Sequence, residues 1–169
     1  MIAYKFLRPD GTSAFTGFRW ELPYALPGAW IEASVDPCLS GIHACRTSDL
    51  PVWVGRVLYE IELGGEIVEA HSKLVASRGR LLRRVEAWDE KLGDAYTRMC
   101  ADRAHELARG AAPVLDGWDA AVEPSLAEGP ALLGFMAARM AEELSGPGAH
   151  RAERARQARW LIERLGIEA

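Results

Sequence analysis

Between Arg56 and Ala70 the chain carries the strongest strand signal it has, and that segment restricts the fold more than any other. Val57, Tyr59, Ile61 and Leu63 recur at every second residue with Glu60 and Glu62 between them, so one face is apolar and the other charged. Gly64-Gly65 interrupts the alternation and Glu66-Ile67-Val68-Glu69-Ala70 resumes it. A glycine pair supplies the positive φ of a tight turn, so residues 56–70 are expected to form a β-hairpin turning at Gly64-Gly65. A half-apolar hairpin must be covered by further elements, and the neighbouring sequence offers them.

Ala3-Tyr4-Lys5-Phe6-Leu7 alternates as a strand does and stops at Pro9-Asp10-Gly11, where proline presets φ and glycine takes the left-handed position. Trp30-Ile31-Glu32-Ala33 supplies a short strand, and Lys73–Ala76 and Arg80–Val85 supply two more. Thr47-Ser48-Asp49 ahead of Leu50-Pro51 resembles a cap followed by proline in the first turn of a short helix. Near Trp88 the period changes. Leu92, Ala95, Tyr96, Met99, Ala104 and Leu107 fall largely on one helical face across residues 89–109. Helices are also expected over 130–144 and 149–165, the first stopped by Ser145-Gly146-Pro147-Gly148, the second carrying Ala152, Ala155, Ala158, Leu161, Ile162 and Leu165 on one face. The expected class is α+β: a mixed or antiparallel sheet in a β-rich domain, residues 1–88, with the helical segment 89–169 packed on it.

Charge and thiol content narrow the function classes. The formal net charge is −4 over 169 residues, with no excess of cations to neutralise a phosphate backbone, so nucleic acid is not an expected partner. The N-terminus lacks the long apolar region of a signal peptide and no apolar run reaches a membrane-spanning length, so the expected location is the cytoplasm, with no membrane partner. Three cysteines, an odd number, point to free thiols rather than a secreted disulfide framework.

Chemistry concentrates in three places. Cys38-Leu39-Ser40-Gly41-Ile42-His43-Ala44-Cys45 sets two thiols and an imidazole around a glycine. The intervals do not match structural zinc spacing, and Cys100 and His105 lie off a common helical face, so neither a metal nor another cofactor is expected. Two readings of the cluster stay open: a cysteine nucleophile with a histidine base, or small core thiols beside an internally hydrogen-bonded histidine. Sequence leaves the reactivity of Cys38, Cys45 and Cys100 undecided. Secondly, Trp20, Trp30, Trp53 and Trp88 fall in or beside the first half with Phe15, Phe18 and Tyr24, a density that suits either an aromatic-lined cavity or a well-filled core. Thirdly, Arg78, Arg80, Arg83 and Arg84 form a basic cluster that Glu60, Glu62, Glu66 and Glu69 are placed to neutralise across the sheet. No Rossmann, Walker, HExxH, GxSxG or EF-hand signature is present in the sequence.

Tyr4-Lys5-Phe6-Leu7-Arg8-Pro9-Asp10-Gly11, Phe15-Thr16-Gly17-Phe18-Arg19-Trp20 and Ser40-Gly41-Ile42-His43-Ala44-Cys45 together resemble an uncharacterised domain family of actinobacteria and phages over residues 1–88. That resemblance implies a boundary near Trp88 and no mechanism. The order of a Gly-Ile-His segment, a short helix and a Val-Leu-Tyr-Glu-Ile-Glu strand is also similar to the second half of small ADP-ribosyltransferase-like folds, which would imply NAD and nominate Arg19 or His43, Tyr59 and Glu86. The leading expectation is a small enzyme or ligand-binding protein for an aromatic or oxyanion-bearing metabolite. Its pocket is framed by Arg19, Trp20, Trp30, His43 and Trp53, with His43 as acid/base and Arg19 orienting the ligand. The alternatives are ADP-ribosyl transfer and a non-catalytic interaction module, docking a partner or a second copy along Leu132, Phe135, Met136 and Met140.

Overall fold

The computed structural model describes residues 1–14, 16–22, 27–36, 39–110, 121–122 and 129–168. It is an α+β protein whose antiparallel sheet lies in the N-terminal half and whose long helices follow. Two compact units divide it, Met1–Trp88 with Glu168–Ala169, and Asp89–Ile167.

In the first unit the strands are β1 (Ile2–Leu7), β2 (Ile31–Glu32), β3 (Ile42–Ala44), β4 (Val57–Ala70) and β5 (Lys73–Arg84). A 3-10 turn at Thr47–Asp49 runs into the one-turn helix α1 (Leu50–Trp53), which has the expected proline in its first turn. Asp49 does not cap it; its carboxylate instead pairs with Arg46 at 2.9 Å. β1 pairs with β4 from Ile2 opposite Glu62 to Leu7 opposite Val57. β4 pairs with β5, whose other edge takes β3, with His43 opposite Val75, and β2, with Glu32 opposite Arg78. One further bridge, Tyr4 with Cys45, returns the end of β3 to β1. The pairings therefore run β1–β4–β5–β3–β1, and the sheet curls around its own interior. Ala3, Leu7, Trp20, Ile42, Ala44, Tyr59, Ile61, Leu63, Leu74, Ala76 and Leu81 fill that interior. On the other face Phe6 meets Trp88 edge-on at 5.6 Å, and Trp88 Nε1 donates to the Gly55 carbonyl at 3.0 Å.

The hairpin expected at Gly64-Gly65 is not there. β4 continues through both glycines, and the chain reverses at His71-Ser72. The glycines mark a register shift between Gly64 and Ile67, with Gly65 at φ +70°. A left-handed glycine serves a bulge as well as a turn, and sequence alone does not distinguish them. Because Ile67 to Ala70 still find partners in Ala76 to Lys73, the strand bends instead of ending.

The second unit contains α2 (Glu90–Gly110), α3 (Pro130–Ser145) and α4 (Pro147–Leu165). Gly146, at φ +85°, separates α3 from α4, and Gly166, in the left-handed region, closes α4 by donating to the Ile162 carbonyl at 3.0 Å. The unit buries Tyr96, Cys100 and Ala104 of α2, Leu133, Ala137 and Met140 of α3, and Gln157, Ala158 and Leu161 of α4. Met140, expected on an exposed apolar patch, is in this core because it lies one helical turn on from Ala137, on the buried side; Leu132 and Phe135 are exposed. A side chain at Gly134 would come within 3.0 Å of Gln157 Oε1 and 3.1 Å of the Tyr96 hydroxyl, so glycine there lets the three helices approach. Gln157 donates to the Gly134 carbonyl at 2.9 Å. Beside it the buried Glu153 accepts from Arg156, Arg103 and Gln157.

Candidate functional site

The seam where β3 meets β1 is the first feature of interest. Tyr4 and Cys45 exchange both backbone hydrogen bonds, at 2.9 and 2.8 Å. Continuing that antiparallel register would set Phe6 opposite His43, but the ladder stops after one bridge among the described residues. Lys5 Nζ reaches the His43 carbonyl instead, at 2.6 Å, and so satisfies an acceptor that a strand would otherwise take. The ammonium also lies 5.5 Å from the centroid of the Trp20 ring, within cation–π range. Burial drives the Lys5 amine down to about 8, and no carboxylate among the described residues pairs with it. Trp20 is itself fixed, donating Nε1 to Ser13 Oγ at 3.2 Å and meeting Phe18 edge-on at 5.8 Å.

His43 sits between Ile42 and Ala44, both of which point into the interior, so strand alternation turns its ring to the opposite face. Its Nε2 is buried and has no hydrogen-bond partner among the described residues. Burial, then the positive charges of Lys73 and Lys5, hold the imidazole below its usual range, against a backbone hydrogen bond at Ser40 that pulls the other way. It is therefore neutral at pH 7, the form that accepts a proton. Cys45 is a poor nucleophile here: burial, reinforced by Asp49, pushes its thiol up to about 12. Cys100 is likewise pushed to about 12 by burial. Both are free thiols; Cys38 lies outside the described residues. Among the described residues no group of three or more His, Cys, Asp or Glu side chains is placed to hold a metal ion.

The basic cluster on β5 divides. Arg80 pairs with Glu62 at 2.7 Å, Arg83 with Glu60 at 2.6 Å and Arg84 with Glu86 at 3.3 Å. Arg78 has no such partner among the described residues. Its guanidinium lies 4.0 Å from the centroid of Trp30, with Arg80 at 4.8 Å from the same ring, and its Nε is buried without a hydrogen bond among the described residues.

The five residues expected to frame one pocket are thus distributed. Trp20 belongs to the interior, while His43 is turned to the other face of the sheet. Trp53 donates Nε1 to the Ser72 carbonyl at 2.5 Å, fastening α1 to the β4–β5 turn, and Trp30 stands against Arg78 and Arg80. Arg19 is exposed, in a bridge with Thr12. Of the residues nominated by the ADP-ribosyltransferase likeness, Tyr59 is inside the core and Glu86 is exposed beside Arg84. Sequence reasoning passed over Lys5, whose signal was a lysine at an inward position of an alternating strand, and did not separate Arg78 from its neighbours. Gly64, opposite Arg78, was that second signal: Glu62 faces Arg80, Glu60 faces Arg83 and Tyr59 faces Arg84, so Gly64 alone of the facing β4 positions offers its arginine no side chain. No helix among the described residues is long and apolar enough to cross a membrane. The chain matches no protein-family model, and no curated protein and no solved structure is significantly similar to it.

Proposed function

We propose that the N-terminal unit binds a small metabolite bearing an aromatic ring or an oxyanion, and that His43 is its acid/base group. The observation that carries this reading is the His43 Nε2: a buried, neutral, unpartnered imidazole nitrogen is an uncommon arrangement in a folded chain, and a ligand proton donor or acceptor is what would complete it. Cationic groups at Lys5 and Arg78 that have no carboxylate partner among the described residues, with tryptophan rings against both of them, support an anionic, ring-bearing ligand.

The test is a thermal-shift screen of aromatic acids, phosphates and nucleotides, followed by NMR of the His43 ring protons with each hit. His43→Ala should abolish the ligand-dependent response while moving Tm by only a few degrees, as expected when about 1 kcal/mol or less is lost. A fall in Tm of ~10 °C or more, with no ligand perturbing the His43 ring of the parent protein, would return His43 to a purely structural role.

A further inference from the structure

We propose that Arg78 is the oxyanion-binding group of the N-terminal unit, its guanidinium fork taking the carboxylate or phosphoryl group of the metabolite. This deepens the ligand-binding reading and rests on it, but its geometry is separate from that of His43.

The register builds the site. Glu62, Arg80 and Trp30 lie in a row across β4, β5 and the residue before β2, and Arg80 is neutralised within that row by Glu62. In the next row Arg78 faces Gly64 on one side and Glu32 on the other. Gly64 offers no side chain, and one placed there would lie 3.3 Å from Arg78 Nε and 3.4 Å from its Cγ, so the arginine stem lies flat over the bare strand. The guanidinium carbon stands over the Trp30 ring, 4.0 Å from its centroid. Glu32 is exposed and makes no ion pair with Arg78, although it sits directly across the strand pair. An arginine whose stem lies on a glycine floor and whose guanidinium stands over an indole has lost most of its side-chain freedom without gaining a carboxylate. Such a planar fork is matched to an oxyanion, which accepts two parallel N–H donors. The half-buried setting strengthens the contact relative to open water, and the indole offers a surface to a ring attached to the anion.

The experiment titrates the protein with benzoate, phenyl phosphate, inorganic phosphate and, as a neutral control, benzamide, following the Arg78 Nε–Hε and Trp30 Nε1–Hε1 NMR signals. At least one oxyanion should give saturable shifts at both signals while benzamide gives none, and the tighter of benzoate and phenyl phosphate identifies the anion type. Arg78→Lys keeps the charge but not the fork and should weaken binding about tenfold or more. Glu32→Gln removes the competing carboxylate and should tighten binding a few-fold. Failure of every oxyanion to saturate in both the parent and Glu32→Gln, equal binding of benzamide, or unchanged affinity in a folded Arg78→Lys protein would overturn the proposal. If a ligand shifts the His43 ring equally in the parent and Arg78→Lys, the functional reading survives and this site does not; anion binding at Arg78 with His43 unmoved gives the reverse.

Discussion

Lys5 should make the N-terminal unit more stable as the solution becomes alkaline, opposite to the usual loss of stability at high pH. Its amine is held near 8 in the fold by burial, against 10.5 for an unperturbed lysine. Below pH 8 both folded and unfolded chains carry the proton, and the fold bears the full cost of a poorly solvated ammonium. Between pH 8 and 10.5 the folded amine loses its proton while the unfolded chain keeps it. The unfolded state then binds more protons, so stability rises with pH across that window. The difference of 2.5 pH units, at about 1.4 kcal/mol each, sets an upper limit of about 3.5 kcal/mol. Lys5→Met supplies the reference. It removes the charge and also the donor to the His43 carbonyl, a loss of about 1–3 kcal/mol, so the two effects nearly cancel at pH 7. Denaturant unfolding of both proteins from pH 7 to 10.5, followed at the Trp20 indole signal, isolates the titration as the change in their difference. The parent should gain about 1–3 kcal/mol over Lys5→Met between pH 8 and 10.5. A difference independent of pH would refute the reasoning, because it would mean that the amine titrates alike in both states.

Gly65→Ala should destabilise the N-terminal unit by about 2–4 kcal/mol, since φ is +70° and the new methyl would overlap Ser77 Oγ; a thermal melt checks it, and a loss below 0.5 kcal/mol would contradict it. Glu153→Ala should cost the helical unit about 2–3 kcal/mol by denaturant titration, at the low end for a broken buried pair because Arg103 and Arg156 are about one-third exposed and regain water. Burial works to raise the Glu153 carboxyl, but Arg156, Gln157 and Arg103 outweigh it and hold the group below its usual value of 4.5. The stability Glu153 contributes is therefore fully present above pH 4.5 and lost as pH falls through its lower folded value, so the Glu153→Ala deficit should shrink in acid. His43, with its imidazole depressed by burial, runs the same way at higher pH: stability should fall as pH drops below about 6.5, and His43→Gln should remove that slope.

How far the sequence was legible follows from which forces it displays. Period 2 in Val57–Leu63 and period 3.6 after Trp88 marked the α+β layout, because apolar spacing records which face is buried. The exact stripes were less readable. On α4 the alanines Ala152 and Ala155 are exposed while Glu153 and Gln157 are buried. An apolar count favours the alanines, yet alanine buries little surface, and the polar pair is accepted because Arg156, Arg103 and the Gly134 carbonyl satisfy it. That compensation involves residues tens of positions away and leaves no local mark.

The same reasoning explains why the candidate site was harder to see than the fold. Four arginines in β5 look alike in sequence, and cross-strand neutralisation is the sound expectation for each of them. What separates Arg78 is its opposite number: Arg80 faces Glu62, Arg83 faces Glu60 and Arg84 faces Tyr59 and pairs with Glu86, whereas Arg78 faces the bare Gly64. Those pairings depend on where β4 turns. A hairpin closing at Gly64-Gly65 would have folded Glu66–Ala70 back onto residues 56–63 and left Arg78 with no defined partner. Because the glycines bend the strand and the chain reverses seven residues later, at His71-Ser72, the bare position falls opposite Arg78 and the carboxylates fall opposite its neighbours. Misplacing one turn thus erases the distinction between a structural arginine and a recognising one, since register decides every cross-strand pair beyond the turn.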